Sequence, residues 1–88
     1  MVKIYSIDGC PYCEELKELL TKENVEFIDV NVDKTENESE YKTIYEVAKS
    51  DDVPLIRVGK RLLVPHVSFM SIQEAVDLIK QFSSELND

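Results

Sequence analysis

Val2-Lys3-Ile4-Tyr5-Ser6-Ile7, then Asp8-Gly9, then Cys10-Pro11-Tyr12-Cys13 at the head of a helical run to Glu23: this succession sets the architecture. The first six residues are rich in β-branched side chains and read as a strand. Asp8-Gly9 breaks it. Leu16, Leu19 and Leu20 then recur at i, i+3 and i+4 with Glu and Lys between them, the pattern of a one-sided helix. Pro11 suits the first helical position, where its missing N–H would have no intrahelical partner. Asn24 is the stop.

The same reading carries outward along the chain. Glu26 to Asp33 alternates Ile28, Val30 and Val32 with Asp29, Asn31 and Asp33, as in a strand with one wet face at a sheet edge. Lys34 to Ser39 is a polar loop. Glu40 to Ser50 is helical with Tyr41, Ile44, Tyr45 and Ala48 on one face, and Asp51-Asp52 ends it. Pro54–Val58 and Arg61–Val64 flank Gly59-Lys60, a two-residue turn whose leading glycine favours type II′. Ser71 and Glu74 form a capping box for a last helix with Ile72, Ala75, Val76, Ile79 and Phe82 as its buried stripe. The tail from Ser83 to Asp88 should fray. The order β-α-β-α-β-β-α predicts an α/β fold with a mixed four-stranded sheet. The first two strands should be parallel through a right-handed crossover, the last two antiparallel, and helices should cover both faces. One domain over residues 1–88 accommodates this.

Composition limits the function. The chain has 88 residues, 43% of them hydrophobic, enough for one modest core. Its formal net charge of −8 argues against nucleic acid and anionic membrane surfaces as partners. That charge keeps a small protein dissolved, or steers it toward basic partners. No apolar run is long enough to span a bilayer, and the start does not read as a signal peptide, so a cytoplasmic location and a monomer are expected.

The two cysteines are three positions apart, so a bridge between them would close too short a loop to add much stability. Thiol–disulfide exchange, by contrast, needs a thiolate and a second thiol nearby to resolve the mixed disulfide. Cys10 falls at the helix N-cap, facing the free N–H groups of Tyr12 and Cys13, and these donors favour a thiolate. Cys13 lies one turn in, nearer the core. Cys10 is therefore the expected nucleophile and Cys13 the resolving thiol. Two other readings remain: inert cysteines, or a zinc site of Cys10, Cys13, His66 and a carboxylate. Structural zinc normally takes four Cys or His ligands, and only His66 could join the pair.

The Cys-Pro-Tyr-Cys quartet after the first strand, Val53-Pro54 before the third, and the length and element order resemble a glutaredoxin, of the divergent kind met in bacteria or phages. The resemblance implies a thioredoxin-like fold and a thiol–disulfide oxidoreductase without a tightly bound cofactor. It implies glutathione as reducing co-substrate and disulfide-bearing proteins as partners, ribonucleotide reductase being one associated with the family. It also implies a cis bond between Val53 and Pro54 beside the cysteines. The Val53 main chain would pair with glutathione as a short added strand. Tyr12 would border the groove.

Three positions depart from the family pattern. Ile7 stands where many members have lysine, and Asp8 beside it should oppose a thiolate. Asp52 replaces a threonine; it could accept from an amine but would repel a carboxylate. Residues around Leu63, Val64, Pro65 and His66 replace a Gly-Gly pair and should narrow that end of the groove, where Ser68 or Ser71 could still offer donors. His66 is either a carboxylate partner there or an ordinary surface residue. Arg57, Lys60 and Arg61 either solubilise the hairpin or bind an anion. The acidic stretch from Asp33 to Glu40 reads as a solvated face. These departures keep two alternatives open: a redoxin reduced by a thioredoxin reductase-type flavoprotein, and an iron–sulfur or zinc-binding module.

Overall fold

Val2 and Ile4 are buried on one side of the first strand and Tyr5 on the other, and the sheet is built around it. A computed structural model describes residues 1–86. It places β1 at Val2–Ser6, α1 at Pro11–Lys22, β2 at Ile28–Asn31, α2 at Glu38–Ala48, β3 at Leu55–Val58, β4 at Arg61–Leu63 and α3 at Ile72–Leu86. The strand order is β2-β1-β3-β4. β1 runs parallel to β2, with Lys3 opposite Ile28 and Ser6 opposite Asn31. It runs antiparallel to β3, with Val2 opposite Val58 and Tyr5 opposite Leu55. β3 and β4 form the expected hairpin, with Val58 opposite Arg61 and Gly59 at φ 61 in the turn. Among the described residues no helix is long and apolar enough to cross a membrane.

Strand period sorts the core into two layers. Val2, Ile4, Ile56 and Val58 pack with Leu16 and Leu20 of α1 and Ile72, Ala75, Val76 and Ile79 of α3. On the other face Tyr5, Val30, Leu55 and Val64 pack with Ile44 of α2. Each large side chain fully buried here contributes about 1.5–3 kcal/mol. Asn24 does stop α1. It sits at φ 59, and the N–H groups of Asn24 and Val25 reach Thr21 O and Leu20 O at 3.1 and 2.9 Å. That is a Schellman closure with asparagine in the usual glycine place.

Several element boundaries differ from expectation. β2 covers Ile28–Asn31 rather than Glu26–Asp33, because the Asn31 side chain turns back to accept the Asp33 N–H at 2.9 Å and ends the strand. β2 does lie at the sheet edge, but Ile28 is 43% exposed, since the α2 layer packs over Val30 and leaves Ile28 out. A 3-10 turn at Thr35–Asn37 occupies the expected loop and leads α2 in two residues early. Lys49 at φ 54 ends that helix before Ser50. Tyr41, Ile44 and Ala48 do face the core, whereas Tyr45 lies off their line, 45% exposed, its ring 6.1 Å from that of Tyr41. Residues 83–86 continue α3 instead of fraying. Arg61 holds this end, its guanidinium 4.2 Å above the Phe82 ring and 3.3 Å from Glu85. Asn87 and Asp88, in the same expected tail, lie outside the described residues.

One polar cluster is set under the sheet. Lys3 Nζ and Tyr5 Oη both donate to Glu40 Oε2, at 2.9 and 2.7 Å. Glu40 is therefore a tie between α2 and β1 and not part of a solvated face. Lys3 first, then Tyr5, hold the Glu40 carboxyl below its ordinary range. Burial first, then the hydrogen bond to Glu40, push the Tyr5 phenol up to about 12. A depressed carboxyl stabilises the fold above its ordinary pKa of 4.5 and loses that contribution as pH falls through its folded value. The raised phenol stabilises below pH 10 and loses its contribution as pH rises toward about 12. Tyr5→Phe should destabilise the protein by about 1 kcal/mol at neutral pH. It should also flatten the alkaline loss, and Glu40→Gln should flatten the acid loss. Urea unfolding midpoints measured across pH check both.

Candidate active site

The turn from β1 into α1 aims the cysteines. Gly9 takes φ 76 there, and a Cβ at this position would meet nothing within 4 Å, so backbone conformation and not space calls for glycine. Asp8 accepts from Asn31 Nδ2 at 3.1 Å, so its carboxylate is tied toward β2. Cys10 is the N-cap of α1, and its Sγ accepts the Cys13 N–H at 3.2 Å. Of the two donors expected at Cys10, Cys13 supplies this one. Cys10 and Cys13 are joined as a disulfide, with Cα atoms 5.3 Å apart. Cys10 keeps 7% exposure as a residue and Cys13 none.

A groove of about 370 Å³ runs beside the pair, and Tyr12, Val53, Pro54, Pro65 and His66 all line it. The Val53–Pro54 bond is cis. Tyr12 is 65% exposed at the rim. Asp52 is not part of the lining; it is exposed, and its N–H is taken by Ser50 Oγ at 3.2 Å. Sequence reasoning missed Glu15, Phe69 and Met70, which complete the walls with Ser71 and Ile72. Helical spacing gave a usable signal for Glu15, which follows Tyr12 by three residues on α1. Neither cysteine is in the groove lining itself; the groove adjoins the pair through Tyr12, which stands between them, whereas a larger hollow of about 810 Å³, bounded by Met1, Val25 and Ile28, includes no residue of the Cys10–Cys13 segment.

The far end of the groove is built by residues 64–71. His66 is exposed at φ 66, a left-handed conformation that usually favours glycine, and its N–H reaches Phe69 O at 2.9 Å. Ser68 Oγ accepts from the Val64 N–H at 2.9 Å. Ser71 Oγ accepts the Glu74 N–H at 3.1 Å, and Glu74 Oε1 accepts the Met70 N–H at 2.6 Å. The capping box therefore forms, with its return bond one residue before the cap. Both serine oxygens are engaged in the protein's own turns.

The basic residues are dispersed. Arg57 faces the α2 layer near Tyr5, with Nε donating to Gly59 O at 2.9 Å, while Arg61 is on the opposite face against α3. No Lys or Arg lines the groove among the described residues. Nor do any three His, Cys, Asp or Glu side chains of those residues gather as a metal site.

Comparison with known proteins agrees with this geometry. The family model described as Glutaredoxin matches residues 2–63. A glutaredoxin-like 8.6 kDa protein from a rubredoxin operon of Clostridium pasteurianum, itself uncharacterized, is 36% identical over 64 residues, covering 73% of this chain and 83% of that protein. Among solved structures, wheat glutaredoxin superimposes with a TM-score of 0.71 at 18% identity, over 96% of this chain and 79% of that one. A thioredoxin-like protein gives 0.68 at 16% identity, over 93% and 97%. The fold is thioredoxin-like.

The unequal exposure of the two cysteines has a direct check. In the reduced protein, iodoacetamide should label Cys10 about tenfold faster than Cys13, read by peptide mass after a short pulse. Equal labelling would reverse or erase the distinction.

Proposed function

This chain belongs to the glutaredoxin family, and from that premise we propose that it is a dithiol reductase of protein disulfides in which Cys10 attacks and Cys13 resolves. The chain is thus a thiol–disulfide oxidoreductase by membership. The observation carrying the finer assignment is the Cys13 N–H held 3.2 Å from the sulfur of Cys10, the residue of the pair that retains any exposure.

The Cys10 thiolate attacks one sulfur of the substrate disulfide. That S–S bond breaks, a mixed disulfide forms on Cys10, and the departing substrate thiolate takes a proton from water. Cys13 then loses its proton and attacks Cys10 Sγ. The second substrate thiol leaves, and two electrons have passed from the protein to the substrate. The helix N-terminus favours the anion at Cys10 in the first step and again whenever Cys10 is the leaving group.

Glutathione is the reducing co-substrate in this reading. One glutathione thiolate attacks Cys10 Sγ and frees Cys13; a second attacks the glutathione sulfur, giving glutathione disulfide and the Cys10 thiolate. Val53 and Pro54 before β3, Tyr12 on one wall and Pro65 with His66 on the other suit a short peptide laid along the groove. A dithiol that must be kept reduced fits the cytoplasm. The lack of Lys or Arg in the described lining favours a second reading for the reductant, a thioredoxin reductase-type flavoprotein.

Hydroxyethyl disulfide reduction should proceed with glutathione and glutathione reductase. Turnover with a thioredoxin reductase alone would replace glutathione by the flavoprotein. Cys10→Ser should fall to the uncatalysed background. Cys13→Ser, offered a protein disulfide, should accumulate a mixed disulfide on Cys10, visible by mass; trapping in Cys10→Ser instead would reverse the two roles.

A further inference from the structure

The groove has one carboxylate in its lining, Glu15. Glu15, exposed on the second turn of α1, lines it one helical turn from Tyr12. Among the described residues Glu15 takes part in none of the ion pairs, so its charge is not neutralised by a neighbour. The opposite wall ends at the N-terminus of α3, where positive partial charge would ordinarily attract an anion. Here Glu74, just outside the lining, already sets a negative charge at that end: its carboxylate takes the Met70 N–H at 2.6 Å while Ser71 Oγ takes the Glu74 N–H. His66 is the one lining side chain able to carry positive charge. Between these ends the walls are apolar, with Met70 and Tyr12 67% and 65% exposed. The whole chain adds a net charge of −8.

We propose that Glu15, backed by Glu74, is a specificity-determining residue. It disfavours thiols and disulfides that carry a carboxylate near the sulfur and directs exchange toward extended segments that are neutral or cationic around their cysteine. The assignment rests on the exchange reading above and sharpens its substrate class. Glutathione, with two carboxylates, is then a slow co-substrate, and a basic, partly apolar segment around a disulfide is a fast one. The effect is one of like charges meeting at a partly solvated site, so it is screened by salt.

The test follows reduction of the oxidised full chain by glutathione, 2-mercaptoethanol and cysteamine, which are anionic, neutral and cationic, with acid quenching and mass analysis. The readout is the ratio of each rate constant to that for 2-mercaptoethanol, which removes general effects on folding or on the disulfide. Raising salt should increase the glutathione ratio and lower the cysteamine ratio. E15Q should raise the glutathione ratio about threefold, the scale of one screened charge pair, and E15K should raise it further. E74Q, whose amide oxygen can still accept the Met70 N–H, should give a smaller rise. Salt-independent ratios, or a glutathione ratio unmoved in both E15Q and E15K, would overturn the assignment, as would a rise in E74Q alone. Failure of all three thiols to reduce the wild-type disulfide would instead remove the exchange reading on which it rests.

Discussion

β1 is hydrogen-bonded along both edges and buried on both faces, so its register cannot shift without disturbing the layers on either side. A one-residue slip would turn Val2 and Ile4 toward α2 and put Lys3 among the leucines of α1. The strand's direction also gathers the site. β1 ends where α1 begins. β3 is antiparallel to β1 and so starts at that same edge, directly after the cis Val53–Pro54 bond. β4 turns back again, which returns the chain to this edge for residues 64–71 and the start of α3. Three segments distant in sequence thus meet at one end of the sheet because the strand directions alternate as they do.

Much of this was legible because it is local. A period of two in β1, leucines at helical spacing in α1, the glycine-led hairpin turn and the Ser71–Glu74 box each announce themselves within a few residues. The two cysteines and Pro11 mark a helix start by stereochemistry alone. What could not be read depended on partners far along the chain. Nothing near Ser83 says that Arg61 will hold Phe82 and Glu85, and nothing near Ile28 says how far α2 reaches. The groove follows the same rule. Tyr12 and Pro54 come with a recognisable motif, whereas Glu15 and Met70 enter only when α1 and the loop before α3 are brought side by side. Asp52 shows the opposite error: adjacency in sequence to Val53 did not place it in the lining.

Charge is distributed with a similar dependence on tertiary structure. Lys3 bonds Glu40, Lys17 bonds Asp29 and Glu14, Lys80 bonds Glu23 and Arg61 bonds Glu85. Such partly exposed pairs add little stability one by one. Their larger effect is positional: these cations are committed to contacts between elements, away from the groove. Glu15, in the groove lining, stands without an ion-pair partner among the described residues.

Cys10 is at once the cap of α1 and one half of the disulfide, and this joins two equilibria that are usually separate. In the dithiol state the capping atom can be an anion; in the disulfide state it is a neutral acceptor. The first turn of α1 is accordingly held more firmly when the pair is reduced, by about 1 kcal/mol if the full effect of an anion at a helix N-terminus is realised. By the closed thermodynamic cycle linking folding to oxidation, whatever the anion adds to the folded dithiol is withdrawn from the disulfide. It makes the pair more oxidising by roughly 20 mV. The N-terminus of α1 is thus a handle on the electron affinity of the bond that joins its cap to its first turn.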